Sequence, residues 1–392
     1  MKWTYPMVSI SALVSSVRKW NPLDSATNEL FTYIDISSVN RETKQVEEAV
    51  EVLTHEAPSR ARQLVKAGDV LVSTVRPNLN AVAHLDGQFD GATASTGFTV
   101  LRTKANKLDA RYLYYWVRTP YFVESMVQRS TGASYPAVSD SIVKESAIPL
   151  PPLEEQQRIA AILDKADAVR RKRKEAIALT EELLRSAFLE MFGDPVTNPK
   201  GWHTKRLGEL AQFVGGGTPS RQKAEYYQGD ICWATPKDMG VDVLTDTEEH
   251  ITSEAIEQSA TKLVGIDSLL VVVKSKVLGR KLPIARTTVP TCFGQDLKAI
   301  IPHEASIQRY LHRHIKYGEK TLLRQARGVN TEGLTLVHLQ NYQVMIPSAS
   351  EVARFVGLDS VLENTRNKQK ALWEESINFF NSLLQRAFLG EL

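Results

Sequence analysis

Apolar side chains recur every three or four positions along two stretches of the chain, and this spacing predicts two long amphipathic helices. The first stretch, 152–195, opens with prolines that suit a helix entry and stops near Gly193, a typical C-terminal signal. The second stretch, 348–392, closes the sequence. The apolar stripe of the first helix contains Ile159, Ile162, Ala166, Val169, Ile177 and Leu184, and that of the second contains Leu358, Leu362, Leu372, Phe379 and Leu383.

A helix of about 39 residues extends roughly 58 Å, which is too long for its stripe to be buried on one small domain. We therefore expect the two helices to bury their stripes against each other as an antiparallel coiled coil. The alternative is that each helix packs separately on its own domain.

The remaining two segments, 1–151 and 196–347, show a different pattern. Short β-rich runs such as "DVLVSTV" and "SLLVVVKS" are separated by turns and followed by a helical stretch, a glycine-containing loop and one more strand. The pattern predicts an α+β protein in which two mixed domains, 1–151 and 196–347, are each followed by a long helix, 152–195 and 348–392.

The two halves repeat each other in sequence. "LLRSAFL" near the end of the first helix returns as "LLQRAFL" in the second, with an offset of 200 residues between Phe188 and Phe388. The tripeptide Arg-Tyr-Leu occurs at 111–113 and again at 309–311. Because order and spacing both hold, the chain is interpreted as a tandem duplication, and the duplication predicts a pseudo-two-fold axis.

Composition places few limits on function. Hydrophobic residues make up 43% and charged residues 24% of the sequence, as in a soluble globular protein. No signal peptide or spanning segment is recognised, so a cytoplasmic location is expected, with Cys232 and Cys292 as two buried thiols. The net charge is +3, and it concentrates in the two mixed domains, so DNA would bind there.

The sequence resembles the specificity subunit of type I restriction-modification systems. The stretch "IPLPPLEEQQRIAAILDKAD" (148–167) is similar to the central conserved region of that family. The segments "GDVLVSTVRPNLN", "TGASYPAVS" and "ATPKDMG" are similar to recurrent parts of its target recognition domains. The second helix departs from the pattern, because it lacks the Pro-Pro and Gln-Gln of the first.

The resemblance implies a function. Each recognition domain would read one half of a bipartite double-stranded DNA target, and the helices would set the spacer. Two modification subunits would dock on the helices and methylate adenine N6, joined by two ATP-dependent motor-nuclease subunits in systems that also restrict. S-adenosylmethionine, ATP and Mg²⁺ would bind to those partners, and no cofactor is expected on this chain. The alternative is a scaffold that binds proteins and has no DNA specificity.

Candidate DNA contacts are basic, amide and hydroxyl side chains on loops after predicted strands, because such groups reach phosphates and base edges. The candidates in the first half are Arg76, Asn78, Asn80, Thr131, Ser134 and Tyr135, and those in the second half are Lys237, Lys274, Lys276, Arg280, Lys281, Arg327 and Asn330.

The sequence offers no catalytic signature that holds. The glycine-rich "VGGGTPSRQK" (214–223) lacks the ending of a phosphate-binding loop and is interpreted as a turn. His312 and His314 lie two apart on a predicted helix and are interpreted as surface or groove residues. The run "RRKRK" (170–174) is interpreted as a solvated or partner-facing helix surface. The chain is expected to be non-catalytic and to hold no metal.

Overall fold

The computed structural model describes residues 3–326 and 333–392. The chain divides into two compact units, of which the first comprises Met1–Ala176 and Gln369–Leu392 and the second Ile177–Lys368. Each unit therefore contains one mixed α+β domain together with part of each long helix.

The first unit begins with a mixed domain whose strands pair mostly with neighbours distant in sequence. Its strands are β1 (Met7–Ser9), β2 (Val14–Ser15), β3 (Leu30–Ile34), β4 (Val39–Asn40), β5 (Gln45–Val46), β6 (Val50–Leu53), β7 (Ala61–Leu64), β8 (Val70–Ser73), β9 (Val82–His84), β10 (Thr93–Ser95), β11 (Phe98–Thr103) and β12 (Ala147–Pro149). Its short helices are α1 (Ile10–Leu13), α2 (Ala110–Trp116), α3 (Pro120–Gln128) and α4 (Asp140–Glu145). The first long helix, α5 (Leu153–Phe192), follows them.

Two four-stranded sheets organise this domain. One has the order β2-β11-β8-β9 and is antiparallel, and the other has the order β6-β3-β10-β7 with β3 and β10 parallel. The strand β12 pairs with β1 and leads the chain from the domain into α5.

The second unit repeats this plan. Its strands are β13 (Thr204–Arg206), β14 (Ala211–Gly215), β15 (Ile231–Ala234), β16 (Val243–Leu244), β17 (His250–Ile251), β18 (Leu269–Val272), β19 (Ile284–Thr287), β20 (Thr291–Phe293), β21 (Leu297–Pro302) and β22 (Gln343–Met345). Its helices are α6 (Leu207–Leu210), α7 (Ser253–Glu257), α8 (Gln308–Tyr317), α9 (Glu319–Leu323), α10 (Leu336–Gln340) and the second long helix α11 (Ala349–Leu389).

The main sheets of the second unit follow the strand order of the first, although among the described residues the small sheet β17-β15-β20 lacks an equivalent of β7 and no sheet corresponds to β4–β5. The order β14-β21-β18-β19 corresponds to β2-β11-β8-β9, with β16 added at the edge. The parallel pair β15 and β20 corresponds to β3 and β10, and the pair β13–β22 to β1–β12. The prediction of two tandem α+β domains, each followed by a long helix, is confirmed.

The long helices pack antiparallel within each unit. In the first unit, Arg173 of α5 donates to the carbonyl of Leu372 in α11, and Arg158 donates to the carbonyl of Leu392 at 2.7 Å. In the second unit, α5 and α11 meet at Phe192 and Phe355, whose rings lie 5.4 Å apart. The helix α5 ends at Gly193, where a φ of +84° favours glycine.

The repeated Ala-Phe-Leu segments lie in the cores of the opposite domains. The alternative in which each long helix packs separately on its own domain is therefore wrong. Phe388, at the end of α11, packs in the first unit against Tyr112 and Trp116, with ring centroids 4.9 and 5.1 Å away. Phe188, near the end of α5, packs in the second unit against Tyr310, with centroids 5.8 Å apart. Each long helix therefore begins on the domain that precedes it and ends in the core of the domain of the other half.

The repeated Arg-Tyr-Leu tripeptide has the same task in both units. Tyr112 donates its hydroxyl to the carbonyl of Pro149 at 2.8 Å, and Tyr310 donates to that of Met345 at 2.9 Å, so each tyrosine fixes the end of the last strand. The arginines before them reach the long helix, because Arg111 pairs with Asp164 and Arg309 with Asp359. The leucines after them are fully buried.

A buried ion cluster joins the mixed domain of the second unit to the long helices. Arg313 has no exposed side-chain surface, and it lies 2.8 Å from Asp359 and 2.9 Å from Asp242. Burial alone would raise the pKa of Asp242, but Lys316 and Arg313 hold that pKa far below its ordinary value. Asp242 therefore remains charged and paired.

Replacing Asp359 with alanine removes the α11 carboxylate that pairs with the fully buried Arg313 and one of the two that pair with Arg309, so we expect Asp359→Ala to lower the free energy of unfolding by about 3–5 kcal/mol. Glu145→Ala is the matched control, since Glu145 forms an exposed pair with Arg129 at 3.6 Å and its loss is expected to cost at most about 1 kcal/mol. Urea denaturation of the full chain measures both. Equal losses in the two variants would contradict the role given to the buried cluster.

Candidate nucleic-acid interface

The loop after β8 carries the first group of predicted DNA contacts. The chain leaves the strand and forms a short 3₁₀ turn over Pro77–Leu79, with Arg76 at its N-cap in the left-handed region at φ +50°. A hydrogen bond from the Arg76 amide to the Pro136 carbonyl, 2.7 Å long, holds this unusual backbone. Arg76 and Asn78 are exposed.

A second loop lies against the first and supplies an aromatic ring. The Arg76 guanidinium lies over the Tyr135 ring at 4.7 Å from its centroid, and Tyr135 is 68% exposed. Both groups therefore face solvent while each limits the motion of the other.

The Tyr135 loop is itself closed by backbone pairing. Thr131 and Ala137 exchange two hydrogen bonds of 2.9 Å, and Ala137 also bridges to Val75. Gly132 has a φ of +99°, and a side chain there would meet the Tyr135 carbonyl at 2.9 Å. The structure thus brings Arg76, Thr131, Ser134 and Tyr135 to one exposed surface, here called the first loop pair.

Asn80 differs from the other predicted contacts on this loop, Arg76 and Asn78, because its side chain bonds within the domain. Its side-chain amide donates to the carbonyl of Val117 at 3.2 Å, so part of its hydrogen-bonding capacity is used inside the domain. Lys44, which the sequence analysis did not select, donates its ammonium to the Asn80 carbonyl. Burial, followed by the nearby Arg118, lowers the pKa of Lys44 to about 8. No sequence pattern marks Lys44, because it lies on a hairpin far from this loop in the chain.

The loop after β18 takes the corresponding place in the second unit. It contains a 3₁₀ turn over Lys276–Gly279, whose N-cap Ser275 accepts a hydrogen bond from the Val277 amide. Leu278 is buried and anchors the turn. Lys274 forms a backbone bridge to Gly333, just as Val75 bridges to Ala137 in the first unit. We call residues 274–281 the second basic loop.

The basic side chains of the second basic loop are exposed and available to bind an anionic partner. Lys274, Lys276, Arg280 and Lys281 are exposed, and within residues 3–326 and 333–392 none of them forms an ion pair. Lys237 lies on another turn, with a 79% exposed side chain 3.8 Å from Glu248. The remaining predicted contacts, Arg327 and Asn330, lie outside the described residues. No observation tests which of these side chains touches DNA, so the assignments stay predictions.

The helix stripe divides into packed and exposed positions. Ile159 and Leu184 are buried in the cores of their units, and Ala166, Leu362 and Leu383 pack against those cores while partly exposed. Ile162, Ile177 and Leu358 are half-buried. Val169, Leu372 and Phe379 are exposed by 48%, 45% and 61%.

In the first unit Val169 and Phe379 line a groove of about 550 Å³ between α5 and α11. Its walls include Ile162, Val169, Phe379 and Leu383, with Arg173 and Glu375 at its rim. Exposed apolar side chains in such a cleft are typical of a surface that another protein covers. We call this cleft the helix groove.

The interpretation of His312 and His314 as surface or groove residues is wrong, because both are buried on α8. Burial lowers the pKa of each to about 3. The Nε2 atom of His314 accepts from the Met345 amide at 3.1 Å, so Nδ1 carries the proton and donates to Tyr342. The two rings point to different faces of α8, as their spacing of two residues requires, but both faces are covered in the fold.

The basic run at 170–174 lies on the helix surface, and several of its charges are paired within the first unit. Arg170 lies 2.7 Å from Asp167, and Lys174 pairs with Glu42 on a hairpin of the first mixed domain.

Among the described residues, none of the helices is both long enough and apolar enough to cross a membrane.

Comparison with known proteins agrees with this architecture. The family model described as type I restriction modification DNA specificity domain matches residues 25–179 and again residues 199–372. The specificity subunit of the type I restriction enzyme EcoR124I/EcoR124II of Escherichia coli is 33% identical over 264 residues. That match covers 64% of this chain and 62% of the relative, so it spans less than two thirds of either protein.

Solved structures extend the similarity to the whole chain. A structure reported for complex assembly and conformational transition of the type I restriction-modification system is 25% identical, with a TM-score of 0.59 and complete coverage of both chains. The specificity subunit from M. genitalium has a TM-score of 0.62 at 14% identity, covering 99% of this chain and 96% of that one, and shows the shared fold. The chain therefore belongs to the type I restriction-modification DNA specificity family and carries two of its recognition domains in tandem.

Proposed function

We propose that this chain directs a methyltransferase complex to a bipartite double-stranded DNA target. Each recognition domain reads one half-site, and the paired long helices set the spacer between the half-sites. Two modification subunits dock on the helices and methylate adenine N6, and two motor-nuclease subunits add restriction where the system contains them. The chemistry and its cofactors, S-adenosylmethionine, ATP and Mg²⁺, belong to those partners.

The observation that carries the proposal is the recurrence of one exposed loop in both units. The first loop pair and the second basic loop follow equivalent strands, β8 and β18, and each is tied to the segment after the equivalent helices. Loops held in this way on a rigid sheet can present side chains to a DNA groove in a fixed geometry.

The side chains of the two loops suit different sequences. Arg76 has the forked donors that pair with guanine, and Tyr135 beside it offers a hydroxyl and an apolar face. The second basic loop offers Arg280 together with three lysines, which favour phosphates as well as base edges. Because the loops differ while their positions agree, the two half-sites are expected to differ in sequence.

The helix groove supports the partner part of the proposal. Phe379 and Val169 are exposed on a helix pair most of whose other stripe residues are buried or half-buried, so an apolar helix face of a modification subunit would complete the packing. The charged rim residues, Arg173 and Glu375, would orient that partner.

Removing the forked donor of one loop should relax one half-site only. We expect Arg76→Ala to spread methylation to targets with one changed base pair in a single half-site, and Arg280→Ala to do the same in the other, at about 1–3 kcal/mol of lost discrimination each. Single-molecule sequencing of methylated adenine in cells that express the chain with its methyltransferase measures both.

The matched controls for these variants are Lys66→Ala and Lys262→Ala, exposed lysines at the opposite ends of β8 and β18. Both controls should leave the motif unchanged. Relaxation of both half-sites by Arg76→Ala, or of neither half-site by either arginine variant, would overturn the assignment of the loops.

Charging the helix groove should prevent docking without unfolding the chain. We expect Phe379→Asp to abolish co-purification with the methyltransferase while the thermal midpoint changes little, because the side chain is already solvent-exposed. Phe379→Leu keeps an apolar surface and should still co-purify. If Phe379→Asp bound the methyltransferase as well as the original chain, the helix groove would not be the docking surface.

A further inference from the structure

Three potential metal ligands meet on the second recognition domain, at the edge of the small sheet β17-β15-β20. Cys232 and His250 occupy directly opposite positions of the antiparallel pair β15–β17, so their side chains lie on the same face of the sheet. Asp246, four residues before His250, completes the group. The three ligand atoms all lie within 4.8 Å of one another.

The distances suit a tetrahedral ion. The Cys232 Sγ lies 3.6 Å from Asp246 Oδ1, and the His250 Nε2 lies 2.8 Å from the same oxygen. Zinc bonds of about 2.3 Å to sulfur and about 2.0–2.1 Å to nitrogen or oxygen place neighbouring ligand atoms roughly 3.3–3.6 Å apart. The distance from Cys232 Sγ to Asp246 Oδ1 already falls in this range. The distance from His250 Nε2 to Asp246 Oδ1 is too short, so the exposed Asp246 side chain would move about half an ångström away from the imidazole.

The backbone that carries the group is ordered by its own hydrogen bonds. Thr247 accepts from the Trp233 amide at 3.0 Å and donates to the carbonyl of Glu249 at 2.7 Å, so the turn before β17 is fastened to β15. The Thr247 amide donates to Asp246 Oδ1 at 2.9 Å and directs that carboxylate toward the thiol. A metal would therefore find its ligands already gathered, with little ordering of the chain left to do.

We propose that Cys232, Asp246 and His250 form a zinc site that leaves a fourth position open to solvent. The thiolate, the carboxylate and the neutral imidazole together balance the charge of Zn²⁺, and the mixed sulfur, nitrogen and oxygen set favours zinc over magnesium or calcium. Cys232 is buried while Asp246 is exposed, so the ion would sit at the domain surface with its sulfur ligand inward. The bound ion would clamp the turn 246–250 to β15.

Zinc binding must release a proton from the thiol. Binding exchanges the thiol proton for a metal–sulfur bond, because the thiolate is the form that ligates the ion. Cys292 provides an internal comparison, since it is also buried, lies on the adjacent strand β20 and is in register with Trp233.

Titration of the tag-free full chain with Co²⁺ tests the site, because a thiolate ligand gives a near-ultraviolet charge-transfer band. We expect the band in the original chain, its loss when an equivalent of Zn²⁺ is added, and its absence in Cys232→Ser. Cys292→Ser is the matched control and should retain the band.

His250→Gln and Asp246→Asn alter positions outside the core, and they keep the test decisive if Cys232→Ser fails to fold. Each should weaken zinc binding by more than about tenfold, because even the loss of a residue that only supports a metal ligand typically weakens binding by about that factor. Zinc should raise the thermal midpoint of the original chain but not of His250→Gln. Absence of the band, its persistence in Cys232→Ser, its loss in Cys292→Ser alone, or unchanged zinc affinity in both other variants would overturn the proposal.

Discussion

The fold depends on the exchange of two aromatic helix ends. Phe388 fills the core of the first unit beside Tyr112 and Trp116, and Phe188 fills that of the second beside Tyr310, Phe192 and Phe355. Each recognition domain is therefore completed by the long helix of the other half of the sequence. This constraint explains why the same short segment occurs twice, 200 residues apart. Because large buried aromatic side chains contribute several kcal/mol to a core, neither domain can release its foreign helix end at low cost.

The anchoring of the helices also orders the loops proposed to bind DNA. The Arg-Tyr-Leu tripeptides link α2 and α8 to the long helices and to the last strand of each domain. The sheets that carry β8 and β18 are built on the same cores, so the loops that follow these strands are held on a rigid base. Loops fixed in this way can differ in sequence between the halves without change to the frame, and this separation of frame from loop suits proteins that acquire new specificities.

Much of this could be predicted from the sequence. The long helices were visible because their apolar period and end signals extend over about 40 residues, and the duplication was visible because order and spacing repeat. The sequence does not show that each long helix ends in the domain of the other half, because an apolar stripe does not reveal which domain buries it. His312 and His314 were misplaced because their polar neighbours, Arg309 and Arg313, belong to a buried ion cluster that depends on distant Asp359. Cys232, Asp246 and His250 became neighbours only through strand register, which the sequence does not state.

Mapping of methylated adenine across a genome tests whether this chain sets a two-part DNA target whose spacer is fixed by the long helices. The chain would be expressed with its methyltransferase in three forms: unaltered, deleted, and with one heptad inserted in both long helices, between Ala176 and Ile177 and between Lys368 and Gln369, where the units divide. The account predicts a two-part motif that requires the chain and, after insertion, the same two half-sites with a spacer longer by about three base pairs. A motif that persists in the deletion, or a spacer unchanged by the insertion, would contradict it.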